Sequence, residues 1–232
     1  MIRMILLILC LIVLLFVIYC ILPTVYYLHI KKAPFSSAVN KKKIILSFDD
    51  GPDMRYTPEL LDKLDKNNVR AVFFVVAEKA RENPDLIRQI SERGHMIGFH
   101  SLEHRDVWRK SPFYQVREFK SGLEILRTMG CKVSYYRAPW GHLNLISLLL
   151  SKKYGLGIIL WTVMAQDWEK DSTALRVTER LRRRIGKGGV ICLHDSGCGK
   201  GAAEGAPAHT VRAVSMFLPA LIDEGFEFVL PN

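Results

Sequence analysis

The chain has 232 residues, enough for one large domain or two small ones, and 49% of them are hydrophobic, so a sizeable core can form beside a membrane segment. The formal charge is +10, and setting aside Arg3, Lys31 and Lys32 leaves 30 basic against 23 acidic residues, or +7 for the remainder. No aromatic-interleaved basic motif and no zinc-finger spacing accompanies that charge, which argues against nucleic acid and for an anionic polymer or a membrane surface.

The first element is apolar. Residues 4–22 carry no charge, and 24–30 extend the run. At about 1.5 Å per residue this stretch can cross a hydrocarbon core of roughly 30 Å. A cleaved signal has a shorter apolar region, about 7–15 residues. The small-x-small sequence Ser36-Ser37-Ala38 lies far beyond the run, and neither Cys10 nor Cys20 follows the small residue of a lipoprotein signal. The expectation is an uncleaved transmembrane anchor over 1–30, a linker over 31–42 and one catalytic domain over 43–232. Lys31, Lys32, Lys41, Lys42 and Lys43 count toward a cytoplasmic domain by the positive-inside rule. The chemistry below expects it outside the cell membrane. Cys131, Cys192 and Cys198 have no spacing that suggests a disulfide framework or a thiolate metal site.

From residue 44 onward apolar runs alternate with helical patterns. Strands are expected over 44–48, 71–76, 96–100, 134–137, 157–161, 189–193 and 226–230. Helices are expected over 57–66, 84–93, 112–129, 145–153, 173–185 and 210–224. Thr57 before Pro58 reads as an N-cap with proline at the first helical position, and Leu60, Leu61 and Leu64 supply the apolar stripe. Gly94 and Gly130 fall where helices should stop. Residues 196–209, rich in Gly and Ala, read as a long loop. Strands alternating with helices argue a parallel α/β domain, open or closed into a barrel, whose site lies at the carboxyl ends of its strands.

The chemistry-bearing residues cluster there. The run Ile44-Ile45-Leu46-Ser47-Phe48 has no polar alternation, as in a strand buried on both faces, yet it ends in Asp49-Asp50-Gly51-Pro52. Adjacent carboxylates at the end of a buried strand repel unless a cation or proton lies between them. The turn lets the two side chains diverge and take different jobs. His100 and His104, four apart, would share one face of a helical turn. With Asp50 they make a two-histidine, one-carboxylate site that suits zinc, and that cobalt, iron or nickel can also occupy. Arg137 can hold Asp49 ionised and oriented through its fork. Pro139 fixes the next turn, so the backbone N–H of Trp140 can face an oxyanion. His194 ends a strand as a candidate general acid, and Asp167 can hold its second nitrogen and raise its pKa. Trp161 and Trp168 are candidate groove walls. His29, His95, His142 and His209 have no evident partner in the sequence.

Ser47-Phe48-Asp49-Asp50-Gly51-Pro52, His100-Ser101-Leu102-Glu103-His104, Arg137-Ala138-Pro139-Trp140, Asp167-Trp168 and Leu193-His194 resemble the five ordered motifs of polysaccharide deacetylases, carbohydrate esterase family 4. The resemblance covers about residues 43–230. It implies a distorted (β/α)7 barrel of parallel strands, a divalent metal, and removal of N- or O-acetyl groups from sugars. It implies Asp49 as base, Asp50, His100 and His104 as metal ligands, and His194 as acid. Two positions depart from the family pattern: Met164 stands where an Asp is common, and Trp140 where a Tyr is common. The expected function is a membrane-anchored, metal-dependent deacetylase of N-acetylated glycan, with cell-wall peptidoglycan as first substrate. Exopolysaccharide, chitooligosaccharide and lipid-linked sugar would need the same residues. A non-catalytic glycan-binding module would need neither Asp49 nor His194.

Overall fold

The computed structural model describes residues 1–30, 42–197 and 201–231. The expected linker, apart from Lys42, and Cys198 lie outside the described residues.

The strands are β1 (Lys43–Asp49), β2 (Val72–Val75), β3 (Met96–Phe99), β4 (Tyr135–Tyr136), β5 (Gly157–Ile158), β6 (Val163–Met164), β7 (Gly189–His194) and β8 (Glu227–Phe228). They form one parallel sheet in the order β5-β4-β3-β2-β1-β7-β6, with β8 added beside β1. β1 lies at its centre, paired with β2 on one side and β7 on the other, and every residue from Ile44 to Asp49 is buried. That burial explains the unbroken apolar run.

The single strand expected over 157–161 is two short strands instead. β5 pairs with β4 and β6 pairs with β7, so the stretch from 157 to 164 touches both edges of the curled sheet. Consecutive strands elsewhere on the path are separated by helices, but none lies between β5 and β6. The outer face of this stretch therefore lacks a helix from the repeating βα pattern.

Seven helices of the domain cover the sheet: α2 (Thr57–Lys66), α3 (Ala77–Glu82), α4 (Pro84–Glu92), α5 (Pro112–Thr128), α6 (Leu145–Lys153), α7 (Ala174–Arg184) and α8 (Ala206–Asp223). α3 was not expected, being six residues with only Ala77 and Ala80 as its buried stripe. α8 begins four residues before the expected 210. α5 starts on Ser111, whose hydroxyl accepts from the Tyr114 N–H, and α6 starts on an Asn144/Ser147 capping box. Thr57 is not an N-cap: Tyr56 holds that position, and the Thr57 hydroxyl donates to Asp195 at 2.7 Å.

The N-terminal helix α1 runs over Ile2–His29, long and apolar enough to cross a membrane. Its first half is exposed on all sides, whereas Cys20, Pro23 and Thr24 are buried. Thr24 Oγ1 donates to the Leu143 carbonyl at 2.9 Å and accepts from the Leu143 N–H at 2.8 Å. Phe16 meets Trp108 edge to face with centroids 5.6 Å apart, and Tyr27 and Leu28 pack on the main core. Phe16, Cys20, Thr24 and Tyr27 recur at helical spacing, so one face of the second half lies on the domain.

Candidate active site

The site sits where the topology places it, at the carboxyl ends of the central strands. Asp49 ends β1 and stands in register opposite His194, which ends β7. Asp50 follows with a left-handed backbone, φ 75°, and this sends its side chain away from that of Asp49. The two acids are both buried and have different main partners, with His100 Nε2 3.2 Å from Asp50 and 4.0 Å from Asp49.

Asp50 Oδ1 lies 3.2 Å from His100 Nε2 and 3.0 Å from His104 Nε2. The histidines do not share a helical turn, contrary to the spacing argument. They lie on the loop after β3, in which Ser101 (φ 98°) and His104 (φ 54°) are left-handed. The Ser101 hydroxyl accepts from the His104 N–H at 2.8 Å and fixes that loop. His100 Nδ1 is 2.8 Å from the Arg137 carbonyl, which suits an Nδ1–H donor, so Nε2 can give a cation its lone pair or, when it carries a proton, donate to Asp50. Burial pushes the Asp50 carboxyl up, but the neighbouring imidazoles outweigh it and hold it well below the ordinary carboxylate range.

Asp49 belongs to Arg137. The guanidinium is fully buried, and its Nη1 donates to Asp49 Oδ1 at 2.7 Å and to Ser47 Oγ at 2.8 Å. The fork is not spent on the carboxylate alone: Nε donates to the Ile159 carbonyl at 2.9 Å, and the group stacks 4.0 Å from the Phe74 ring. The other Asp49 oxygen has Cys192 Sγ at 3.3 Å.

His194 is held at two points by Asp167, whose Oδ2 accepts the His194 backbone N–H at 2.8 Å and whose Oδ1 is 3.1 Å from Nδ1. Thr210 Oγ1 donates to the same Oδ2 at 2.8 Å. Burial alone would lower the His194 pKa. Asp167, with Asp50 and Asp49, outweighs it and lifts the imidazolium to about 10. A divalent cation on Asp50 would cancel part of that lift.

Among the described residues two groups bring three ligand atoms within 4.8 Å: Asp50 with His100 and His104, and Asp49 with Cys192 and His194. Their chemistry separates them. The first offers an ionised carboxylate and imidazoles aimed through Nε2. In the second, burial and the adjacent Asp49 push the Cys192 thiol well up, and a protonated thiol and an imidazolium are no ligands. The residues present fit a metal at the first group.

A cavity of about 260 Å³ joins these parts, lined among others by Trp140, Trp161, Met164, Trp168 and Gly201. Trp168 meets the His194 ring at 5.5 Å edge to face, and Trp140 lies 4.5 Å from the His104 ring. Trp140 is the second residue of a 3-10 turn with φ 55°, so its N–H has no partner within that turn. Trp161 packs over Gly141. Every residue read from the sequence as a site candidate thus reaches one cavity or braces a residue that does.

Three contributors escaped the sequence reading. Ser47 and Cys192 each sit two residues before a site residue on a strand, hence on the same face, and that period of two is the signal that points to them. Gly201 closes over Asp50 so tightly that a Cβ there would collide with Asp50 Oδ2. Two of the unpartnered histidines acquire roles: His142 stacks on Trp108 at 3.9 Å and contacts Asp106, and His95 Nδ1 accepts from the Ala71 N–H.

The fold and motifs have known counterparts. Residues 36–159 match the family described as polysaccharide deacetylase. A peptidoglycan-N-acetylglucosamine deacetylase of Bacillus cereus is 32% identical over 200 residues, covering 85% of this chain and 70% of the relative. A chitooligosaccharide deacetylase of Sinorhizobium fredii is 32% identical, covering 82% and 90%. The crystal structure of a peptidoglycan N-acetylglucosamine deacetylase superposes with TM-score 0.75 at 29% identity, over 82% of this chain and 86% of that one. The chain belongs to the polysaccharide deacetylase family.

Proposed function

We propose that this chain is a membrane-anchored, divalent-metal-dependent deacetylase of N-acetylated glycan, with cell-wall peptidoglycan as its first substrate. In this reading residues 1–30 are the anchor, 31–42 a linker and 43–232 the catalytic domain, held outside the cytoplasmic membrane where such glycan lies. The observation that carries the reading is the divergence of Asp49 and Asp50: one acid faces two histidines, the other an arginine.

Asp50, His100 and His104 would hold the ion, zinc by donor set, with cobalt, iron or nickel as other occupants. Bound there, it would supply Lewis-acid polarisation of the acetyl carbonyl. Asp49 takes a proton from the attacking water as the new carbon–oxygen bond forms. The Trp140 N–H donates to the oxyanion that develops. His194 gives its proton to the sugar nitrogen as the carbon–nitrogen bond breaks, so that acetate and a free amine leave. Arg137 and Asp167 act through others: the first orients the base, the second the acid. Trp140 and Trp168 offer ring faces to the sugar.

Purified full-length protein, stripped by chelator and reloaded with zinc, should release acetate from N-acetylglucosamine oligomers only when loaded. Absence of acetate with metal bound would leave a glycan-binding module and overturn this reading.

A further inference from the structure

α1 does more than tether the domain. Its second half lies beside the stretch from β5 to β6 that no helix of the βα pattern covers. Tyr27 lines a groove with Gly157 and Ile158, and Leu28 and His29 line another with Trp161 and Val163. His29 lies near Lys187 and Gly188, just before β7 begins, at the amino ends of the strands. Phe16 lies on Trp108, in the loop after β3 that carries the site histidines. The helix therefore runs antiparallel to the strands. Its exposed first half projects past the carboxyl ends of the strands, on the side where the active site opens.

Length sharpens the point. The part before the docked Phe16, residues 2–15, is one residue short of the 15 of Ile2–Phe16. At about 1.5 Å each it reaches roughly 21 Å, short of a hydrocarbon core of about 30 Å. A span must then draw Phe16 and the docked residues after it, and the domain surface touching them, toward the lipid. That surface is suited to an interface. Phe113, at the start of α5, is 87% exposed and Trp140 46%. Arg105, Arg109 and Lys110 lie on the same loop as Trp108 and match anionic headgroups. A chain of ring contacts of 4.5, 6.4, 3.9 and 5.6 Å links His104 through Trp140, His142 and Trp108 to Phe16.

We propose that α1 holds the catalytic groove facing the bilayer, and that the substrate is an N-acetylated sugar still carried on a membrane lipid. The sugar amide enters the groove while the lipid stays in the membrane. The proposal rests on the deacetylase and anchor readings above and narrows their substrate to the lipid-borne form of a glycan. A shared surface raises the effective concentration of sugar and site without any new contact.

The test uses the full chain in vesicles of phosphatidylcholine and phosphatidylglycerol, loaded with zinc. N-acetylglucosaminyl phosphoprenol in the same vesicles is compared with soluble N-acetylglucosamine tetramer at equal sugar concentration. Acetate should leave the lipid-borne sugar at least about tenfold faster. Phe16→Ala with Thr24→Ala, which loosens the docking, should erase that preference and leave the tetramer rate unchanged. Equal rates on the two substrates, or parallel loss of both in the loosened variant, would overturn the proposal while the deacetylase reading stands. Acetate from neither would overturn that reading and this proposal with it. A second measurement needs no turnover. Acyl-brominated lipid should quench the added fluorescence of Phe113→Trp and spare that of Lys187→Trp, and the reverse pattern would refute the orientation.

Discussion

Replacing Arg137 by methionine keeps a long side chain and removes the charge that faces Asp49. In the wild type Asp49 Oδ1 receives Nη1 at 2.7 Å, and Oδ2 has the Cys192 sulfur at 3.3 Å and His100 Nε2 at 4.0 Å. Both partners of the ion pair are buried, with 0% and 3% of their side-chain surfaces exposed. Removing one partner of such a pair strands a buried charge and costs about 3–5 kcal/mol. For a protein of this size each kcal/mol lowers Tm by about 2–4 °C, so the variant should melt about 6–20 °C lower. Thermal unfolding of the full chain in detergent, with chelator present so that no cation substitutes for the guanidinium, reads this directly. Adding Asp49→Asn removes the stranded charge, so the double variant should recover part of the loss. A single variant within about 1 kcal/mol of wild type, or a double variant as unstable as the two singles summed, would refute the assignment of Arg137 as counter-ion.

Two further outcomes follow from the site. In chelated protein, His194 should stay protonated toward pH 10, and Asp167→Asn should lower its pKa by about one unit or more in an NMR titration. Because the folded pKa lies above 6.5, the stabilisation is complete below pH 6.5 and is lost as pH rises through about 10, and an unmoved titration in Asp167→Asn would sink the pairing. Gly201→Ala places a methyl against Asp50, so calorimetry should find weaker zinc binding, and unchanged affinity would show that the loop yields at no cost.

Much of the fold was legible because it rests on local signals. α2 and α6 occupy the expected 57–66 and 145–153, and for α2 the proline start and the Leu60, Leu61 and Leu64 stripe agree. The candidate site residues were legible as polar groups following apolar strands. What escaped depends on non-local geometry. A spacing of four suggested a helix for His100 and His104, but the loop reaches the same convergence through left-handed residues, whose φ no periodicity reveals. β6 escaped because a two-residue strand has no period, and only its pairing with β7 defines it. The docking of α1 escaped because an apolar run reads alike whether it faces lipid or protein. Leu143 and Trp108 supply the protein face.

The division of labour between Asp49 and Asp50 is the centre of the account, and metal content of purified variants tests it most directly. Asp49→Asn should arrive with its metal and lose about 10²–10⁴ of the rate, as expected for loss of a general base. Asp50→Asn should arrive depleted, with excess metal restoring part of the activity. If Asp49→Asn is empty and Asp50→Asn is loaded, the two roles are reversed and the mechanism is wrong.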